Sequence, residues 1–267
     1  STRPNVPPGI FGPFSDMRLL RYSILPLLVL GLWWFATRNG SIPAILLPAP
    51  ADVWRAALEL FASGEGFRHA GTSLMRVFAG YGISSLAALT LAALLARSPK
   101  LEAGAHVVLE SLRVVPPLSL IPLLILWLGI DEAPKLAIVV LASFFPIYLS
   151  TIAALKSAEV RYGELADYLA LTPSERLRHV LLPGAAPQIL TGLRLGFGYA
   201  WRALVGAELI AASSGLGYLI EDAGALMHTD VVMVGILTIA LLGVGLDALY
   251  KRLIEKLVPW AKTEERK

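Results

Sequence analysis

Six apolar runs, each close to twenty residues long, constrain this chain more than any other feature: 19–36, 74–96, 103–128, 134–155, 189–212 and 231–250. About 20 apolar residues in a helix cross the ~30 Å hydrocarbon core of a bilayer. Lipid offers the backbone no hydrogen-bond partner, so a spanning segment must satisfy its own peptide groups. Only 16% of the residues are charged, against roughly 25% in a soluble domain, and the charges cluster between the runs. The expected fold is all-α: a polytopic membrane protein with about six transmembrane helices and the lipid bilayer as its solvent. The second run is the cleanest, with no charge over 77–96. The third is interrupted by Arg113 and kinked by Pro116 and Pro117. It reads either as one kinked span or as an interfacial helix followed by a shorter span.

Loop charges set the orientation. One side carries 15 Lys and Arg and the other 4, with Arg76, Arg113, Arg194 and Arg202 inside the runs. Both termini are therefore expected on the cytoplasmic side. The domains read as a cytoplasmic N-terminal segment 1–18, irregular and without a compact signal peptide, a membrane domain 19–250 and a cytoplasmic tail 251–267. There is no cysteine, and the four histidines form no pair three or four apart. No disulfide and no metal site are expected. After Leu47-Pro48-Ala49-Pro50, Asp52 reads as an N-cap. Val53, Trp54, Ala57, Leu58 and Phe61 follow at helical spacing. This predicts a short amphipathic helix, lying at the outer interface or buried as a packing helix.

The loop 156–188 is the longest on the cytoplasmic side. A first helix is predicted over 160–169. Thr172-Pro173-Ser174-Glu175 starts a second with a capping box and proline at its first position. Leu177, Val180 and Leu181 give it an apolar stripe, Pro183-Gly184 is the predicted stop, and Pro187 opens the next span. The reading is a rigid helix–turn–helix projecting into the cytoplasm.

Within that loop, Glu164-Leu165-Ala166 followed by Val180-Leu181-Leu182-Pro183 resembles the EAA signature of ABC-importer permeases. The signature's first Ala corresponds to Leu165 and its Gly to Ala170, departures that suggest a turn not needing positive φ at 170. The resemblance extends to Val115-Pro116-Pro117-Leu118-Ser119-Leu120-Ile121-Pro122, Trp127-Leu128-Gly129-Ile130, Phe145-Pro146-Ile147-Tyr148, Gly192-Leu193-Arg194-Leu195, Ala207-Glu208-Leu209-Ile210-Ala211, Ser214-Gly215-Leu216-Gly217-Tyr218-Leu219 and Thr229-Asp230-Val231-Val232. Together these are similar to the aliphatic-sulfonate, taurine and nitrate branch, with the aliphatic-sulfonate members nearest. The resemblance implies a type I importer-like permease of the bacterial cytoplasmic (inner) membrane. Its partners would be a second permease copy, two ATPase subunits and an extracytoplasmic substrate-binding protein. The coupling element would comprise Glu164, Leu165, Ala166, Ala170, Leu171, Thr172 and Pro183. No Gly-x-x-x-x-Gly-Lys-Ser/Thr phosphate loop occurs, so the chain itself holds no cofactor, and ATP and Mg belong to the ATPase. No nucleic-acid partner is expected.

The fifth run carries Arg194, Arg202 and Glu208, each costing roughly 2.5–3.5 kcal/mol at the membrane centre. Arg194, Trp201 and Glu208 share one helix face. Gly192 and Gly196, then Ala203, Ala207 and Ala211, suit close helix packing. Candidate pathway residues are Arg202, Trp201, Glu208 and Arg113. Arg202 reads either as a lure for an anionic substrate or as a structural arginine bonded to carbonyls or a neighbouring carboxylate. Arg194 reads as reaching the inner interface, and Arg113 as bonding carbonyls freed by the proline kink. Glu208 reads also as a helix tie. Gly215 and Gly217 read as a turn, or as part of a docking rim for the binding protein. An ion-coupled secondary transporter is the alternative, but the internal repeat it usually shows is not visible. A membrane enzyme would need a cluster of catalytic side chains, and none is visible either.

Overall fold

The computed structural model describes residues 14–40 and 42–260. Most of the expected 1–18 segment and the end of the 251–267 tail lie outside the described residues, among which there is no strand. The helices are α1 (Phe14–Thr37), α2 (Pro50–Ala62), α3 (Glu65–Leu95), α4 (Pro99–Val114), α5 (Ile121–Leu128), α6 (Glu132–Tyr168), α7 (Pro173–Glu175), α8 (Leu182–Ala211), α9 (Leu216–Ala225) and α10 (Thr229–Leu257). Helices α3, α6 and α10 are each long and apolar enough to cross a membrane alone. Two broken pairs also qualify, one bent by 84° at 115–116 and one by 41° between α8 and α9, which allows up to five spans. The apolar part of α1, Ile24–Thr37, is shorter. The six apolar runs are thus present as helices, but three alone are unbroken spans.

The third run resolves as α4 followed by the short α5. Val115 and Pro116 are both extended, because a residue before proline is pushed out of the helical region. The chain restarts as a 3₁₀ turn, Pro117–Leu120. The eight residues of α5 rise about 12 Å, too little to cross. In α2 the N-cap is Ala49 with Pro50 behind it, not Asp52. Asp52 sits in the first turn and pairs with Arg55. Val53, Ala56 and Leu60 are buried while Trp54 and Leu58 are exposed, so this helix packs with one face and presents an apolar surface with the other.

The 156–188 region corrects the sequence reading twice. No separate helix occupies 160–169; those residues are the end of α6, whose 37 residues span about 55 Å. That exceeds the hydrocarbon by roughly 25 Å, so the end of α6 must project beyond it. Nor does Pro183-Gly184 stop the second helix. A π-helical turn, Arg176–Leu181, leads from α7 directly into α8. Hydrogen bonds in a π turn reach one residue further, which lets the ladder change step where Pro183 supplies no donor. Gly184 answers to packing instead: a Cβ there would lie 2.8 Å from the Tyr162 ring of α6.

Helices α6 and α8 run antiparallel, with small residues at their seam. A Cβ on Gly192 would meet Ser150 Cβ at 2.3 Å, and one on Gly196 would meet Ile147 Cγ1 at 2.4 Å. This is the close approach that small residues at four-residue spacing permit. Val77 and Tyr81 of α3, Ile147 of α6, and Phe197 and Leu204 of α8 form the centre of the main core. Helices α2, α9 and α10 close its flank.

Gly192→Ala is expected to cost about 1–3 kcal/mol through overpacking at this seam, read as a lower melting temperature of the detergent-solubilised protein. Adding Ser150→Gly removes the clashing atoms and is expected to recover most of the loss. An unchanged midpoint for Gly192→Ala would mean that the helices are not in such close contact.

Candidate functional site

Three constructions along the bundle carry the chemistry: a hairpin beyond one end, a cavity in its middle, and a buried charge cluster near the other end. The hairpin is α6 turning into α7. Its turn is a Schellman motif, in which Leu171 N–H donates to Ala166 O at 3.1 Å and Ala170 N–H to Asp167 O at 3.0 Å. That geometry places residue 170 in the left-handed region, and Ala170 has φ 48°. The expectation that alanine signals a turn without positive φ is therefore corrected. The paired carbonyl bonds impose the conformation, and alanine bears the steric cost. The capping box is formed: Thr172 N–H donates to Glu175 Oε2 at 2.9 Å, and Glu175 N–H lies 3.4 Å from Thr172 Oγ1.

Arg176 locks the two arms together. Its guanidinium bonds both oxygens of Glu159 and reaches Asp167 Oδ1 at 2.5 Å. A Cβ on Gly163 would lie 2.9 Å from the same guanidinium, so glycine clears its path. Arg176, Glu159, Asp167 and Gly163 were not among the candidates. Their readable signal was an arginine in one arm with acids on the other. Of the candidates, Ala166 is buried, Leu171 is half-buried, and Glu164, Leu165, Ala170, Thr172 and Pro183 are exposed. Val160 and Tyr168 are each 87% exposed, and Leu165 and Leu169 more than half. An apolar crest on a rigid projection beyond the hydrocarbon is the form of a protein-docking surface.

The cavity, ≈ 660 Å³, opens between the 84° bend, the middle of α6 and α8. Arg113, Leu118, Phe145, Leu149, Tyr199 and Arg202 are among its walls, and no carboxylate of the described residues lines it. Arg202 Nε donates to Gly198 O at 2.9 Å, and its guanidinium carbon sits 4.8 Å from the Tyr199 ring centre. Among the described residues it has no acidic partner. Arg113 donates to Glu110 Oε2 at 2.6 Å and does not serve the carbonyls of the bend, correcting that expectation. The Ser119 hydroxyl and N–H bond Pro116 O instead, at 2.7 and 3.1 Å. The other two pathway candidates lie elsewhere. Trp201 is buried against α10, its Nε1 3.3 Å from Ile239 O, and Glu208 is enclosed in the charge cluster. Arg194 binds both oxygens of Asp247 on α10, at 2.6 and 2.5 Å.

In the charge cluster Arg76 of α3 is the hub. Its Nε and Nη2 grip Glu132 at 2.5 and 2.6 Å, and its Nη1 reaches Glu208 at 2.8 Å. Nη1 and Nη2 also donate to Ser214 O and Oγ, at 2.5 and 3.1 Å. All five guanidinium donors are thereby used. Glu208, fully enclosed, accepts from the Ser73 hydroxyl and from Gly217 N–H at 3.0 Å. Gly215 N–H donates to His69 Nδ1 and Leu216 N–H to Ser73 Oγ. Gly215 and Gly217 are buried. A Cβ on either would strike Glu208, so glycine lets the turn close over the carboxylate. In the sequence Arg76 and Glu208 stand out as intramembrane charges of opposite sign, but no local pattern pairs them or points to His69 and Ser73.

Arg76→Met leaves Glu208 buried without its cation and is expected to cost about 3–5 kcal/mol. Arg76→Met with Glu208→Gln is expected to cost less than the sum of the single changes. Thermal unfolding of the purified variants measures both; strict additivity would mean that the pair is not coupled.

Residues 80–258 match the family of binding-protein-dependent transport system inner membrane components. The taurine transport system permease protein TauC of Escherichia coli is 35% identical over 93% of this chain and 92% of its own length. The E. coli protein designated aliphatic sulfonates transport permease SsuC is 38% identical over 87% of this chain and 88% of its own. The nitrate import permease protein NrtB of Leptolyngbya laminosa is 26% identical over 86% and 85%. An inward-facing structure of the MetNI methionine ABC transporter superposes with a TM-score of 0.61 at 17% identity, covering 69% of this chain and 92% of that one. That likeness shows the fold. The long helices, the projecting hairpin and the extent of these matches converge: the chain belongs to the binding-protein-dependent transport system inner membrane component family, the membrane permeases of ABC importers.

Proposed function

We propose that this chain forms the translocation pathway of an importer for a small anion, an aliphatic sulfonate, taurine or nitrate, delivered by a binding protein. The observation that carries the anion reading is the cavity: two arginines in its wall and, among the described residues, no carboxylate in the lining and no acidic partner for Arg202. An unpaired cation beside apolar walls raises the local potential for an anion. Two copies of the chain pair in the membrane, and each receives one ATPase subunit at the 156–188 hairpin. ATP and Mg are held by those subunits, and hydrolysis occurs there. The excess of Lys and Arg in the hairpin, its flanking loops and the tail supports a cytoplasmic placement of that end and of both termini. The binding protein then meets the end where the Gly215–Gly217 turn is anchored to Glu208. In this arrangement the Arg176 tie makes the hairpin a stiff lever, and its apolar crest seats in the ATPase.

Arg202→Gln removes this cation without opening a cavity in the core, since Arg202 is exposed. Uptake of an anionic substrate per folded transporter is expected to fall about tenfold or more in proteoliposomes, at normal abundance. Lower abundance with normal uptake per molecule would assign Arg202 to structure instead.

The hairpin is tested at its strained residue. Ala170→Gly suits φ 48° and is expected to stabilise the turn by roughly 1 kcal/mol and to retain the ATPase. Ala170→Pro cannot adopt that φ, and Glu164→Arg places a long cation at the crest. Both are expected to reach the membrane yet lose the ATPase during purification or uncouple hydrolysis from uptake. Full retention and coupling in both variants would remove the hairpin from the coupling role.

A further inference from the structure

We infer that the cavity between the bend, α6 and α8 is itself a selectivity site, preferring anions that carry an apolar tail over zwitterions and small inorganic oxyanions. This rests on the cavity being the pathway and goes beyond it, because it places part of the substrate choice in the permease rather than in the binding protein alone. Four observations carry it. The cationic groups lie along the bend and on α8, at Arg113 and Arg202, while Leu141, Phe145, Leu149 and Leu195 supply apolar wall. An anionic head beside Arg202 therefore leaves its tail against hydrocarbon. Arg113 is already engaged by Glu110, at 2.6 Å, whereas Arg202 has no acidic partner among the described residues. Among the described residues no Asp or Glu lines the cavity, so an ammonium group entering beside the anion would find no carboxylate in the wall, the like charge of Arg202 and an apolar surface that cannot solvate it. The volume, ≈ 660 Å³, falls within the ~300–1,000 Å³ of pockets that enclose organic ligands. An inorganic oxyanion would leave most of that apolar wall uncovered.

Propanesulfonate and taurine provide the decisive pair, because they differ by a methyl group in place of an ammonium. Binding is measured on the permease–ATPase complex in lipid nanodiscs, without binding protein, by competition against labelled hexanesulfonate, with empty nanodiscs as the blank. Affinity is expected to rise about fourfold per methylene from ethanesulfonate to hexanesulfonate, the value for burying a CH₂. Taurine and nitrate are expected to bind at least about tenfold more weakly than propanesulfonate. Leu195 is exposed in the cavity wall, so Leu195→Glu supplies the missing carboxylate without disturbing the core. It is expected to narrow the gap between taurine and propanesulfonate, whereas Leu195→Gln is not. Equal affinities for propanesulfonate and taurine, no dependence on tail length, or no binding at millimolar concentration would each overturn the inference. If Arg202→Gln abolishes propanesulfonate binding while taurine competes equally in the parent complex, the pathway stands and the selectivity falls. If Arg202→Gln changes neither binding nor uptake, the pathway reading falls with it.

Discussion

The ion pair between Arg76 and Glu208 is the constraint on which the rest of the architecture depends. Two charges taken out of water cost several kcal/mol each unless every donor and acceptor finds a partner. Here Arg76 uses all five of its N–H groups on Glu132, Glu208 and Ser214. Lysine could not replace it, because the bidentate grip on Glu132 needs a planar fork. The contacts fix the relative positions of α3, α6 and α8 near one end of the bundle. They also solve a second problem. The N-terminus of α9 presents N–H donors that no helical carbonyl can satisfy. His69, Ser73 and Glu208 accept from Gly215, Leu216 and Gly217, so the turn between α8 and α9 is capped by side chains from α3 and α8.

From that fixed end, α6 and α8 run together to the hairpin. Their seam is built for close approach at Gly192 and Gly196, and the same logic recurs at Gly184 against Tyr162. Small residues allow the helices to move as one body, since a seam packed this closely resists sliding. Continuity of α6 and of the α7–α8 segment means that the hairpin is not hinged to its spans. With Arg176 bridging the arms to Glu159 and Asp167, a force applied at the exposed crest is carried into the helices that wall the cavity.

The break between α4 and α5 makes room for the cavity that the proposed pathway uses. An unbroken third span would fill the space beside α6 and α8 with its own side chains. The extended residues at Val115 and Pro116 and the 84° bend instead open the cavity that Arg113 and Arg202 line. Irregular backbone at membrane depth is tolerated where it lines a cavity and its polar groups are paired. Ser119 performs that pairing at Pro116 O.

The sequence by itself determined the helical membrane class, because runs of this length and composition have no other stable form in lipid. It also determined the Thr172–Glu175 cap and the small-residue seam, both of which depend on neighbours a few residues apart along one helix. Local pattern reached its limit where the choice lay between equal local options. Proline at 183 and glycine at 184 read as a stop, yet a π turn and the Tyr162 ring made them part of a continuous helix. Alanine at 170 read as an ordinary turn residue, yet two carbonyl bonds held it at positive φ. Arg194, Trp201 and Glu208 share a face, but nothing local says that Asp247, Ile239 and Arg76 are what that face meets. Those partners lie 38 to 132 residues away, and a buried charge chooses among them by desolvation and geometry. Such choices belong to the tertiary structure, because the energy of a buried polar group depends on which groups surround it in space rather than on which precede it in the chain.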